Sequence, residues 1–211
     1  MADKLGITDR YFFEDRLWAE GYKRIMGLDE VGRGCLCGPV VAAGVILKQG
    51  SRLPDSVRDS KTISVSARKK LTAEIKDAAI FYTIKECSAK EIDQLNILRA
   101  SITAMMKCVE SSGANPDYLL IDGNRFTNTI IPHQCIVKGD DKSTTIAAAS
   151  ILAKVYRDEY MERIHEEYPQ YGWSSNVGYP TKKHFKALHE FGYTEHHRTS
   201  FRLRTQKKYI K

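Results

Sequence analysis

Residues 25–34 read Ile25-Met26-Gly27-Leu28-Asp29-Glu30-Val31-Gly32-Arg33-Gly34. The run starts apolar, meets two acids and breaks at glycines. Ile25 to Asp29 has the composition of a short strand, and Gly32 and Gly34 supply the freedom to leave it. On a regular strand Asp29 and Glu30 point to opposite faces. Both reach one site only if the strand ends or bends there. The fold therefore turns on which other strands end in acids.

Working outward, Val40 to Leu47 is a second strand of small and β-branched residues. Ser66 is expected to cap a helix running to Ala78. Ile80 to Cys87 alternates as a third strand. Ile92, Leu95, Leu98, Ile102, Met105, Met106 and Val109 recur at helical spacing and predict one helix, closed by Ser111-Ser112-Gly113. Tyr118-Leu119-Leu120-Ile121 is a buried strand that stops at Asp122-Gly123. Cys135-Ile136-Val137 is another, stopping at Lys138-Gly139-Asp140. A long helix from about Thr144 to Glu167 is stopped by Pro169, and Lys183 to Phe191 is a last helix ended by Gly192. This order predicts an α/β fold: a mixed β-sheet flanked by helices, with a small C-terminal helical extension. A main domain is expected over residues 1–180, with a basic helical segment and tail over 181–211 packed on or beside it.

Asp29, Asp122 and Asp140 thus each close an apolar strand. A lone Asp before Gly reads as a turn residue. Three strand-end acids with Glu30 beside them form a different pattern. If the strand ends lie together, the carboxylates repel one another and take up protons unless a cation is present. A hard divalent ion removes that penalty and prefers oxygen ligands. A two-metal phosphodiesterase is one chemistry this permits.

The charge distribution suits a polyanionic partner. The formal net charge is +7; residues 1–180 hold 24 Lys/Arg and 24 Asp/Glu, whereas residues 181–211 hold 9 and 2. The whole excess lies in the last segment, where phosphate contacts would release counterions. A solvated tail explains the composition equally well. The five cysteines include no Cys-x-x-Cys pair, so reduced buried thiols are expected rather than zinc or disulfides. No apolar run approaches a membrane span, and Met1 to Trp18 lacks a signal-peptide core, so a cytoplasmic location is expected.

Several segments resemble the type 2 ribonuclease H family, ribonuclease HII. Gly27-Leu28-Asp29-Glu30-Val31-Gly32-Arg33-Gly34, followed by Gly38-Pro39-Val40-Val41, resembles its opening signature. Asp59-Ser60-Lys61, Leu120-Ile121-Asp122-Gly123, Lys138-Gly139-Asp140, Ile146 to Lys154 and Arg157-Asp158 resemble later blocks in order. Gly178-Tyr179-Pro180-Thr181 and His197-Arg198-Thr199-Ser200-Phe201 resemble its C-terminal elements. The resemblance covers about residues 25–201. The related type 3 enzymes carry an N-terminal substrate-binding domain before the first carboxylate; the 28 residues before Asp29 and Arg33 between the glycines make type 2 the expected match.

The resemblance implies a ribonuclease H-like fold. It also implies an endonuclease that hydrolyses the RNA strand of RNA·DNA hybrids and cuts 5′ of single ribonucleotides embedded in duplex DNA. Asp29, Glu30, Asp122 and Asp140 would bind two divalent ions, Mn2+ or Mg2+. Gly32, Arg33, Gly34, Lys61 and Tyr179 would bind substrate, with Tyr179 near the ribose–deoxyribose junction. Asp158 would be structural or would support the metal ligands from behind, and Asp141 has no assigned role. The expected setting is ribonucleotide removal in DNA replication and repair, by a monomer with unassigned protein partners. Two other readings exist: a resolvase or integrase-type DNA nuclease of similar fold, and a non-catalytic nucleic-acid-binding module. Among the histidines, His184 is placed near nucleic acid by Lys182, Lys183 and Tyr179. His196-His197 would touch phosphate or stand exposed. Tyr171 and Trp173 are expected to pack the C-terminal elements.

Overall fold

The computed structural model describes residues 9–57 and 64–201. These residues form helices α1 (Phe12–Ala19), α2 (Val65–Ala78), α3 (Ala89–Leu95), α4 (Ile97–Val109), α5 (Thr144–Glu167), α6 (Trp173–Asn176) and α7 (Lys182–Phe191). Strands β1 (Ile25–Val31), β2 (Val40–Leu47), β3 (Ala79–Cys87), β4 (Tyr118–Asp122) and β5 (His133–Ile136) make one sheet in the order β3-β2-β1-β4-β5. β1, β2 and β3 form an antiparallel meander, and β4 and β5 add on parallel to β1.

Strand alternation sorts the core into two faces. Met26, Leu28, Val40, Ala42, Ile46, Leu119 and Ile121 pack with Ala100, Ala104, Met105 and Cys108 of α4. Val41, Ala43, Val45 and Leu47 turn the other way, onto α5 and α2. β2 is covered on both sides, which is why its sequence is apolar throughout. α5 approaches β1 closely enough that a Cβ on Gly27 would overlap the Thr145 backbone. That contact brings the first turns of α5, including Ser150, within reach of Asp29.

The structure corrects several expectations. Ser64, not Ser66, caps α2, accepting from Ala67 N–H at 3.2 Å. The single helix expected over Ile92–Val109 is two, broken at Asn96 with φ +65°. Asn96 accepts from the N–H groups of Leu98 and Arg99 and so caps the second helix, a local bond that overrides the apolar periodicity. β1 does not stop at Asp29 but runs on to Val31. β5 begins and ends earlier than predicted, and Val137 is exposed. α1 was not anticipated: Phe13, Leu17 and Trp18 bury against Ile25, Leu120, Ile136 and Ile146. Asp59-Ser60-Lys61 and the tail beyond Phe201 lie outside the described residues.

Four of the five cysteines are buried as expected, Cys135 is only partly so, and all five are free thiols. Tyr171 and Trp173 stack at 4.8 Å and 13° within a C-terminal cluster that includes Leu36, Cys37, Met161 and Leu188. No helix among the described residues is long and apolar enough to cross a membrane.

Candidate active site

Parallel pairing brings the C-terminal ends of β1 and β4 to one edge of the sheet. Leu28 pairs with Ile121, so Asp29 and Asp122 follow as neighbours. Alternation puts both on the α5 face, opposite Leu28 and Ile121. Asp140 arrives in the 3-10 turn Gly139–Asp141 after β5. The Gly139 N–H donates to Asp122 Oδ1 at 2.7 Å and ties that turn to the strand end. A Cβ on Gly139 would meet Ile146 Cδ1 at 2.7 Å and Asp122 Oδ1 at 3.3 Å, so a side chain there would push the turn away.

Asp29 is 6% exposed. Burial is the main cause raising its carboxyl well above the usual aspartate range; Asp122, Glu30 and Asp140 add to the rise, and a hydrogen bond with Ser150 opposes it. The four predicted carboxylates therefore share one electrostatic environment. Asp141 is exposed, and Asp140 is the member of the doublet whose charge reaches Asp29. β1 ends one residue past Glu30, and although alternation starts the Glu30 side chain from the face opposite Asp29, its charge still reaches Asp29 at the strand end. Burial raises the Glu30 pKa, Arg33 pulls it down, and Asp122 still acts on it. Arg33 Nη1 donates to Glu30 Oε1 at 2.7 Å, while Glu30 Oε2 is buried without a hydrogen-bond partner.

This donor set fits a divalent, oxygen-seeking cation. It is all carboxylate, it carries a buried unpartnered oxygen, and its central acid is pushed toward protonation. Among the described residues, no three His, Cys, Asp or Glu side chains form a ready metal-ligand group.

The loop after β1 is held from behind. Gly32 has φ +92°, and a Cβ on it would run into the Arg157 side chain. Arg157, 1% exposed, donates to the carbonyls of Pro39 (3.1 Å), Cys37 (3.1 Å) and Val177 (2.9 Å). Arg198, equally buried, donates to Arg33 O at 3.0 Å and to Gly38 O at 3.0 and 2.8 Å. Burial lowers the Arg198 pKa to about 10, which leaves it charged at neutral pH. In front, Gly34 is open: a Cβ there would meet only Tyr179 Cε1, at 3.9 Å. The Tyr179 hydroxyl also donates to the Cys35 sulfur. Gly34 and the half-exposed Tyr179 thus face each other across the loop mouth.

Not every expectation about single residues stands. His184 is fully buried and His197 is 2% exposed, so neither meets phosphate. Asp158 pairs with Lys154 at 2.6 Å and Arg68 at 3.7 Å, as a structural residue would. Sequence reasoning missed Ser150, whose signal was a lone hydroxyl within the alanine-rich Ile146–Lys154 stretch. It also gave no role to Arg157 and Arg198, although both lie in the quoted segments. It missed Glu14, whose buried Oε1 accepts from Ser143 Oγ, Thr145 N and Thr145 Oγ1 at the start of α5.

Comparison with known proteins bears on this arrangement. The family model for Ribonuclease HII matches residues 26–205. The chain belongs to the ribonuclease HII family. It is 50% identical over 194 residues to ribonuclease HII of Salinibacter ruber, covering 90% of this chain and 96% of that one. It is 51% identical over 181 residues to ribonuclease HII of Christiangramia forsetii, covering 85% and 90%. Among solved structures it matches a chain in the PCNA:RNase HII complex from Archaeoglobus fulgidus, with a TM-score of 0.72 and 25% identity over 86% of this chain and 96% of that one. As a ribonuclease HII, the protein is an endoribonuclease that hydrolyses the RNA of RNA·DNA hybrids. The resolvase and non-catalytic readings fall away.

Proposed function

We propose that Asp29, Glu30, Asp122 and Asp140 hold two divalent ions, Mg2+ or Mn2+, and that Gly32, Arg33, Gly34 and Tyr179 read the ribonucleotide whose 5′ side is cut. The observation that carries this reading is the Leu28–Ile121 pairing, which sets Asp29 beside Asp122. Such ions, when bound, would activate a water and stabilise the departing 3′ oxygen, giving 5′-phosphate and 3′-hydroxyl ends. The protein's own residues supply orientation. Ser150 steadies Asp29, the Gly139 N–H steadies Asp122, and Arg33 offsets part of the Glu30 charge.

RNA differs from DNA at one position by the 2′-hydroxyl. The open face of Gly34 lets backbone approach a ribose, and Tyr179 opposite it can pack on the following deoxyribose. Substrates are RNA·DNA hybrids and DNA duplexes with an embedded ribonucleotide. Residues 1–180 are the catalytic domain in this reading, and the basic segment 181–211 adds phosphate contacts, as does Lys61. The protein works as a cytoplasmic monomer in ribonucleotide removal during DNA replication and repair.

Tyr179→Ala tests the reading. Loss of a stacking contact costs about 1–3 kcal/mol. The rate should fall roughly tenfold or more on a duplex with one ribonucleotide, and only a few-fold on a continuous hybrid, where other contacts hold the strand. Equal slowing on both substrates would reduce the tyrosine to general binding.

A further inference from the structure

Behind Tyr179 lies a buried chain of rings that the catalytic reading does not use. Trp173 Nε1 donates to His184 Nε2 at 3.1 Å. An indole N–H can only donate, so Nε2 of His184 carries no proton and its proton sits on Nδ1. His184 Nδ1 lies 3.0 Å from Tyr179 O, an obligate acceptor, and therefore donates to it. The Thr194 N–H donates to His197 Nδ1 at 2.9 Å, which leaves the His197 proton on Nε2. That nitrogen is 3.2 Å from His184 Nε2 and donates to it. Both histidines are then neutral, and the single lone pair of His184 Nε2 is shared between the Trp173 and His197 N–H groups. Burial agrees, lowering the pKa of His184 and, with the His184 neighbour, bringing that of His197 to about 4.

The chain ends on the backbone of Tyr179 and begins beside the Gly32–Gly34 loop. His197 is bridged to Cys37, and its neighbour Arg198 holds Arg33 O through its guanidinium and donates its own backbone N–H to Leu36 O. Leu36 N–H in turn donates to Gly178 O at 2.8 Å. The dipeptide His197-Arg198 therefore touches both halves of the proposed reader, one through His184 and one directly.

We infer that His184 and His197 are positioning residues that fix Tyr179 opposite Gly34 and so set the preference for a ribonucleotide–deoxyribonucleotide junction over continuous RNA. This rests on the proposed role of Tyr179. The two positions demand opposite substitutes. At His184 the working donor is Nδ1, which an asparagine amide can replace and a glutamine amide cannot. At His197 the working donor is Nε2, which glutamine can replace and asparagine cannot. Each pair loses similar packing, so a merely structural role would not separate its members.

The test measures kcat and KM for His184→Asn, His184→Gln, His197→Gln, His197→Asn and Tyr179→Ala in the full chain, on a single-ribonucleotide duplex and on a continuous hybrid. A misplacement of an ångström or so costs up to about 10²-fold in rate. His184→Gln and His197→Asn are expected to lose about tenfold on the single ribonucleotide and less than about threefold on the hybrid. His184→Asn and His197→Gln should stay within about threefold on both. If the His184 variants do not fold, the His197 pair decides. Equal behaviour of Asn and Gln at each position, or equal slowing on both substrates, would overturn the inference. If Tyr179→Ala remains substrate-selective while that happens, only the inference falls. If Tyr179→Ala also slows both substrates equally, the junction reading falls with it.

Discussion

Asp29→Asn should abolish cleavage and, in metal-free solution, make the protein more stable. The activity loss follows from removing a charged ligand at the centre of the carboxylate group with almost no change in volume. A drop on the order of 10³-fold or more in kcat corresponds to about 4 kcal/mol on the barrier. The stability gain follows from the raised carboxyl. Asp29 is buried and pressed by Asp122, Glu30 and Asp140, so the folded state binds its proton more tightly than the unfolded chain does. Its stabilising contribution is present below the ordinary aspartate pKa of about 3.9 and is lost as pH rises through the elevated folded value. Metal-free wild type should therefore lose stability as pH increases over that window, and Asp29→Asn should lose less, keeping only the part due to other raised acids such as Glu30. The melting temperatures should coincide near pH 4 and diverge above it, by about 2–4 °C per kcal/mol for a chain of this size. Added Mg2+ or Mn2+ should raise the melting temperature of wild type more than that of the variant. Asp122→Asn should lose activity equally. Normal turnover by either variant would remove that residue from the site.

The second large effect is expected at Gly34. Gly34→Val should lower activity about 10²-fold with the fold intact, because the branched side chain fills the gap that faces Tyr179 and blocks the sugar. The structure makes this variant informative: a Cβ at Gly34 has only an ordinary contact, 3.9 Å from Tyr179. Gly32 would be a poor probe, since its positive φ and the Arg157 side chain make any substitution a folding problem. Arg33→Ala should cost no more than about tenfold, since the backbone of the loop does the reading. Its side chain is half exposed and its visible task is the 2.7 Å bond to Glu30. Steady-state rates and melting curves for the three proteins check the order. Near-normal activity of Gly34→Val would mean that the sugar is read elsewhere.

Much of this was legible in the sequence because strand ends carry their own punctuation. Asp29, Asp122 and Asp140 each follow an apolar run, and a parallel β1–β4 pair is enough to bring the first two together. What the chain could not disclose depends on contacts between distant segments. Asn96 splits a helix whose apolar spacing runs straight through it, by bonding two backbone N–H groups locally. α1 is a short helix of mixed charge that finds its apolar partners only on the finished sheet. Arg157, Arg198 and His184 look like surface residues by type. They are buried because loop carbonyls and ring nitrogens from elsewhere satisfy them, which no local pattern encodes. Lys61 and the basic tail lie outside the described residues.

The most direct measurement is cleavage of an end-labelled DNA duplex containing one ribonucleotide, mapped to single-nucleotide resolution with and without divalent ions. The predicted result is a single cut on the 5′ side of the ribonucleotide, leaving 3′-hydroxyl and 5′-phosphate ends, in the presence of Mg2+ or Mn2+ and not with a chelator. A cut elsewhere, cleavage of an all-DNA control, or activity that survives chelation would contradict a carboxylate-held metal site read by Gly34 and Tyr179.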